Sequence, residues 1–310
     1  MSNSLAVQKL KNVFVTNNSV IIERGTILKN SCVSEKQYKE YQKAKFLLKY
    51  IFPFFIFSSK QHILITDEWS KNYCHFLWEA LSKLIVLQKE FNNPILVLPK
   101  SYVKIDFVMK SLEIFGFNRK NIKFIAKKSR VKIKNLAFIP CINIGAKGYY
   151  DFLKFKKVRE IFLDKWRDQF TKNFGEKIYI SRSNPQNLVS RRVSNEEELV
   201  AMLENYGFKT VYMEKFSFIE QVSIMSFAKH IIAPHGAGIT NVMFAKEGCH
   251  LLELINENRG ILCFERMCKK MQISYDRFDC KPSDENSSEE LANIEVDVIK
   301  LENKIKNITI

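Results

Sequence analysis

The sequence predicts an α/β fold of two lobes, and three observations carry that expectation. Beyond residue 175 short apolar runs alternate regularly with helical periods, the pattern of a doubly wound, mostly parallel sheet. A looser strand-helix-strand alternation runs from His62 to Ile125. At 310 residues the chain is also long enough for two modest cores, and a single core stops growing near this size.

In order along the chain, Val13-Phe14-Val15 and Val20-Ile21-Ile22, parted by Asn17-Asn18, form a hairpin pattern. Residues 34–50 are lysine-rich and helical in character. The apolar run Phe46 to Phe57 is interrupted by Lys49 and Pro53 and is too short to cross a bilayer. It is expected as a buried strand pair, with an aromatic lip at a lipid interface as the alternative. His62-Ile63-Leu64-Ile65 is a strand and Asp67-Glu68-Trp69-Ser70 a turn; Asn72 or Ser70 then caps a helix through His75, Trp78, Leu81, Leu84 and Leu87. Residues 94–99 form a strand, 105–115 an amphipathic helix stopped by Gly116, and 122–125 a strand, with one or two more between Val131 and Pro140.

A long helix over about 151–170 leads to Gly175, the expected lobe boundary. Strands follow at 177–180, 210–213, 231–233 and 250–254, with helices starting at Ser194, Phe218, Gly238 and Ile261. A polar linker at 283–288 precedes a last helix, in which Leu291, Ile294, Val298, Leu301 and Ile305 make one apolar seam. This seam is expected to cross back to the first lobe. The expected organisation is therefore 1–172, 173–282 and a crossover helix in 283–310.

Composition narrows the function classes. Hydrophobic content of 46% with 13% aromatics excludes a disordered chain. The net charge of +16 lies wholly in the first half: residues 1–150 hold 25 Lys+Arg against 9 Asp+Glu, whereas 151–310 hold 24 of each. A basic lobe implies an anionic partner such as a phosphorylated acceptor, an acidic glycan, a membrane surface or a nucleic acid, unless the lysines serve solubility alone. Seven cysteines without a C-x-x-C pair suggest reduced thiols in a cytoplasmic protein, and no secretory signal pattern opens the chain.

The stretch 231–241 carries the strongest chemistry. An apolar strand stops at Pro234, and His235, Gly236, Ala237, Gly238, Ile239 and Asn241 form a tight turn into a helix. Its first amides suit a phosphate, although a turn built only for geometry has the same spelling. Arg182 follows a strand, and Arg191 and Arg192 precede a helix cap; guanidinium forks hold phosphate oxygens in pairs and keep their charge. Glu214 and Glu253 each end a strand and could accept ribose hydroxyls or pair with a lysine. In the first lobe His75 and Glu79 share a helix face, an arrangement suited to an oriented general base. The remaining histidines give no recognisable zinc spacing, so no metal site is expected.

These residues carry a resemblance. Asn72-Tyr73-Cys74-His75-Phe76-Leu77-Trp78-Glu79 resembles the N-x-x-H-x-x-x-[DE] segment of glycosyltransferase family 61. Ile180-Ser181-Arg182, Arg191-Arg192, Asn195-Glu196, Gly207-Phe208, Glu214, Ser217, Glu220-Gln221, Gly236-Ala237-Gly238, Asn241 and Glu253-Leu254 follow the family's order and spacing. The resemblance implies a GT-B architecture, two Rossmann-like lobes facing a cleft, and an inverting hexosyl or pentosyl transfer from a nucleotide sugar without metal or other cofactor.

On that reading a UDP-sugar sits in the second lobe. Its phosphates are held by Arg182, one of Arg191 and Arg192, and the amides of Gly236 to Ile239, and His235 donates to a phosphate or to the sugar. The base is His75, or else Glu79 or Asp67. The expected acceptor is a glycan or glycolipid precursor such as capsule or lipopolysaccharide, and the expected location is cytoplasmic, peripheral at the inner face of the plasma membrane.

Three rivals compete with this reading. An esterase would need a G-x-S-x-G elbow, which the sequence lacks. A dinucleotide oxidoreductase would place its glycines early in the sheet. A basic α/β protein binding nucleic acid or an anionic surface would explain the charge, but the basic residues are scattered and not striped with aromatics, which disfavours nucleic acid.

Overall fold

A computed structural model describes residues 6–43, 50, 52–55, 58–140, 152–182, 191–283 and 292–307. The chain divides into two compact units, Met1–Val158 and Arg159–Ile310. The division falls inside a helix, earlier than residue 172, and residues 292–307 belong to the second unit.

In the first unit, β1 (Gln8–Thr16) and β2 (Ile21–Glu23) form the expected hairpin, pairing Phe14 with Ile22. Ser19 takes the left-handed conformation in its turn, and β3 (Thr26–Ile27) adds an edge. Helix α1 (Glu35–Tyr41) is capped by Ser34, whose hydroxyl accepts from the Gln37 amide. Phe52–Phe55 is β4, the described part of the apolar run; residues 44–49, 51, 56 and 57 lie outside the described residues.

The alternation that follows is β5 (His62–Leu64), α2 (residues 73–90), β6 (Ile95–Pro99), α3 (Asp106–Ile114), β7 (Ile122–Ile125) and β8 (Ser129–Phe138). Strands β5, β6 and β7 are parallel, and β8 lies parallel to β5 on their other side. Strand β1 runs antiparallel to β8 along almost its whole length, so the hairpin extends a parallel sheet from its flank. The sheet order is β3-β2-β1-β8-β5-β6-β7, with β4 beside the start of β8. Val13, Val15, Leu64, Val97, Val131 and Ile133 form a core across it.

Helix α4 (Phe152–Trp166) leads into the second unit. There β9 (Lys177–Ile180), α5 (Glu196–Asn205), β10 (Lys209–Val211), α6 (Phe218–Phe227), β11 (His230–Pro234) and β12 (His250–Asn256) follow the expected alternation. Ser217 and Glu220 make a reciprocal capping box at the start of α6. Helix α7 (Cys263–Met271) is followed by β13 (Ser274–Pro282), a strand not expected from the sequence because Asp276, Arg277, Asp279 and Lys281 break its apolar run. The sheet order is β10-β9-β11-β12-β13, all parallel, closed by the antiparallel β14 (Ile294–Glu295).

The carboxyl-terminal segment corrects an expectation. Ile294 pairs with Pro282 in β14 and is not helical, and the last helix, α8 (Val298–Asn307), starts four residues later. Leu301 and Ile305 pack with Leu199, Met202 and Leu203 of α5, within the second unit's own core. Polar stitches fix this path: Asn195 donates to the Val296 carbonyl and accepts from its amide, and the Ser194 amide donates to the Ile294 carbonyl. Leu291 lies outside the described residues.

Among the described residues no helix is long and apolar enough to cross a membrane. Cys32, Cys74, Cys249, Cys263, Cys268 and Cys280 are free thiols.

Candidate functional site

The second sheet reverses its order between β9 and β11: β10 lies on one side of β9, and β11, β12 and β13 follow on the other. At such a reversal the loops leaving the two strands part to opposite faces, opening a crevice at their carboxyl ends. Strand β9 runs straight into Ser181 and Arg182, and β11 into His235 and Gly236. Pairing of Tyr179 with Ile232 brings these two exits abreast. Arg182 then packs directly on the Gly236 backbone: a Cβ at position 236 would stand 2.6 Å from Arg182 Cζ, a contact no side chain there could accept without expelling the guanidinium.

Burial, followed by repulsion from Arg191 and Arg259, pushes the Arg182 pKa down to about 10, while Glu214 acts in the opposite sense. Arg182 keeps its charge at neutral pH. Burial and the neighbouring cations both oppose the charge, and a bound anion relieves both. Arg191 joins the group from a left-handed backbone, φ 67°, a conformation costly to a non-glycine residue. Arg192 is tied differently: its amide donates to Asn293 at 2.9 Å and its carbonyl accepts from Ile294. Of the two candidates, Arg191 belongs to the cluster. Glu214 sits in a 3-10 turn just beyond β10 and is exposed.

The glycine elbow opens a 3-10 helix, Ala237–Phe244, and not an α-helix. Ile239 is fully buried and its amide donates to the Gly236 carbonyl at 3.0 Å, so this amide is not offered to a ligand. The amides of Gly236, Ala237 and Gly238 make no backbone hydrogen bond among the described residues and keep their donors for an anion. Gly238 lies so close to β9 that a Cβ would stand 3.3 Å from Ile180. Asn241 is 1% exposed and donates to Gln221 of α6 at 3.1 Å, which ties the elbow to its neighbouring helix.

Glu253 departs further from expectation. It lies in the middle of β12 and not at its end, and is 1% exposed. His235 donates from Nδ1 to its Oε1, and the Tyr275 hydroxyl donates to its Oε2 at 2.7 Å. Burial, and then the Glu253 charge, push the Tyr275 phenol pKa up, which keeps it a donor. Tyr275 and Glu253 therefore fix the ring of His235, which abuts Phe264 edge-on at 5.3 Å. Arg259 and Tyr275 escape the sequence reading. Arg259 had a usable signal, since it follows β12 at the same end of the sheet as Arg182; Tyr275 lies on the unexpected strand.

In the first unit, α2 widens into a π-turn over Phe76–Ala80. Such turns insert an extra residue and re-aim side chains, often at functional sites. His75 Nδ1 donates to Glu79 Oε1 at 2.6 Å. The imidazole side chain is 23% exposed and the carboxylate 7%, so the pair offers the ring and hides its partner. Asp67 is no base. Its Oδ1 accepts from the Trp69 and Ser70 amides and the Ser70 hydroxyl, and its Oδ2 from Lys83 at 3.2 Å. Burial would raise its pKa, but Lys83 and Ser70 outweigh that and lower it. Among the described residues no group of three or more His, Cys, Asp or Glu side chains could hold a metal.

No curated protein matches the chain. The family model for glycosyltransferase 61 matches residues 73–252, a span that takes in His75, Glu79, Arg182, Arg191 and the elbow. The match covers more than half of the sequence, and with it the chain belongs to glycosyltransferase family 61 and is a glycosyltransferase.

Proposed function

We propose that the protein is an inverting, metal-independent transferase of GT-B type that moves a hexose or pentose from a nucleoside diphosphate sugar, with UDP as the nucleotide, to a hydroxyl of a glycan precursor of the capsule or lipopolysaccharide kind. The observation that carries the proposal is the packing of Arg182 on Gly236, with Arg191 and Arg259 acting on the same guanidinium. Half-buried cations beside unspent amides suit a diphosphate, and they stabilise the charge that grows on it as the glycosidic bond to the donor breaks.

His75 takes the proton of the acceptor hydroxyl on Nε2 while Glu79 holds Nδ1, and the oxygen attacks the anomeric carbon from the face opposite the leaving group. His235 faces the diphosphate from the elbow. The basic first half suits a cytoplasmic enzyme peripheral to an anionic membrane.

The test is calorimetry of UDP against a single-stranded oligonucleotide, together with turnover of a panel of sugar nucleotides in EDTA. Saturable UDP binding and undiminished turnover in EDTA are expected. Salt-sensitive oligonucleotide binding with no UDP binding would replace the proposal by an anionic-polymer binder, and complete dependence on a divalent ion would remove its metal-independent mechanism.

A further inference from the structure

Trp69 is 37% exposed, whereas Trp78 and Trp166 are 1% and 5% exposed. An exposed indole costs solvation free energy unless something covers it, and the turn that carries this one is held from several sides. Asp67 accepts from the Trp69 amide at 3.0 Å, the Asn72 amide donates to the Trp69 carbonyl at 2.8 Å, and Lys83 neutralises Asp67. On the preceding residue, Glu68 accepts from Gln37 and from the Tyr41 hydroxyl, which pins the turn to α1. The indole stands 5.2 Å from the His75 imidazole, centroid to centroid, with the planes inclined at 46°. Glu68, Lys71 and Asn72 around it are exposed and polar.

From this geometry we infer that Trp69 is the platform for a pyranose ring of the acceptor, whose C–H face lies on the indole while a hydroxyl reaches His75. The inference rests on His75 being the base. A pyranose has an apolar face bordered by hydroxyls, and it meets here an aromatic face bordered by hydrogen-bonding side chains. A lipid chain would need a continuous apolar groove, and among the described residues the turn around Trp69 presents the exposed polar side chains of Glu68, Lys71 and Asn72. A peptide would order many rotatable bonds for one aromatic contact. The acceptor class is thus a sugar residue and not a polypeptide side chain or a polyprenyl phosphate. Because the turn is clamped before any ligand arrives, little ordering is left to oppose binding.

The experiment uses the full chain and acrylamide quenching of tryptophan fluorescence. Of the three indoles only Trp69 is open to quencher, so Trp69→Phe should lose most of the quenchable signal. In the wild type, phenyl pyranosides of glucose, galactose, mannose, xylose and N-acetylglucosamine at up to 50 mM are compared with a serine-containing peptide and with octyl phosphate. Protection by one or more pyranosides, and by neither of the others, is expected. With the pyranoside that protects as acceptor, Trp69→Ala should raise KM about tenfold or more with kcat changed far less, and Trp69→Phe should recover most of it. Protection by the peptide or by octyl phosphate, by none of the probes, or an equal loss of kcat in both variants would overturn the inference. UDP affinity, measured on the same variants, reports the fold; if the wild type binds no nucleotide, it is the donor reading that fails, while the quenching result still decides the platform.

Discussion

In the first unit the two ionisable groups of the candidate site ride on one helix, four residues apart, and their contact follows from the pitch of that helix and a single π-turn. In the second, the cations come from the end of β9, the loop before α5 and the turn after β12, and the glycines from the end of β11. One arrangement is local and the other is made by strand order. A local pair survives modest changes elsewhere in the unit, whereas a cluster gathered across a sheet depends on each crossover that brings its members together. In both sites a half-buried cationic or basic group is backed by a buried carboxylate-histidine contact: His75 by Glu79 in the first, and Arg182, Arg191 and Arg259 beside His235 and Glu253 in the second.

That difference predicts separable failures, and the largest is at the base. His75→Ala should lower kcat by about 10²- to 10⁴-fold and leave the dissociation constant for UDP within about twofold. Glu79→Gln should lower kcat by a smaller factor, since the amide still accepts from Nδ1 but no longer offsets the imidazolium formed in the transition state. Single-turnover kinetics beside calorimetry on both variants reads the two effects apart. A matching loss of UDP affinity in His75→Ala would merge the two sites into one and end the comparison.

The next effect lies in donor binding. Arg182→Ala should weaken UDP by about 10²-fold or more, the usual consequence of removing one member of a buried guanidinium-phosphate contact. Arg182→Lys should restore little, because a point charge on a flexible stem cannot reproduce the fork. Gly236→Ala should behave like Arg182→Ala although it removes no charge, because the added methyl occupies the place of the guanidinium. Arg192→Ala should change UDP affinity by less than about threefold, which calorimetry on the four variants decides. If Arg192→Ala equals Arg182→Ala, the Arg192 side chain belongs to the donor site as well.

These contrasts also show what a reader of the sequence alone can recover. The helix pair was legible because spacing of four on a periodic run fixes a shared face. The strand exits were legible as a class, and Arg182 and Gly236 were found that way. What spacing could not tell was which polar residues spend themselves inside the fold. Asp67 reads as a base until its neighbours Ser70 and Lys83 are seen to occupy both its oxygens. Asn241 and Glu253 read as ligands for a donor, yet one bonds Gln221 and the other His235 and Tyr275. In the family pattern Ser217 and Glu220 are a helix cap. The charged strand β13 and the non-helical Ile294 were missed for one reason: their places are set by pairing with distant strands and not by their own period.

The smallest effect sharpens the comparison most, because it concerns the group that links buried charge to ligand. Burial lowers the pKa of His235; Glu253 opposes this, while Arg259 and Arg191 add to it. Glu253 faces the ring from β12, its other oxygen taken by Tyr275 of β13, and the arginines act from the loops at the carboxyl end of the sheet. Without donor the ring is held neutral at pH 7, its Nδ1–H on Glu253 and Nε2 bare. A diphosphate beside it favours the imidazolium, so the complex binds more protons than the free protein, and affinity must fall as pH rises between the free and bound pKa values. UDP-glucose is the suitable probe, because its diphosphate does not titrate between pH 6 and 8. Its dissociation constant should rise by up to about tenfold per pH unit within that window. Calorimetry in buffers of different ionisation enthalpy should show net proton uptake, and both signals should vanish in His235→Gln. Proton release, or an unchanged slope in the variant, would mean that His235 stays neutral and accepts a hydrogen bond from the donor, leaving the arginines as the only cations the diphosphate meets.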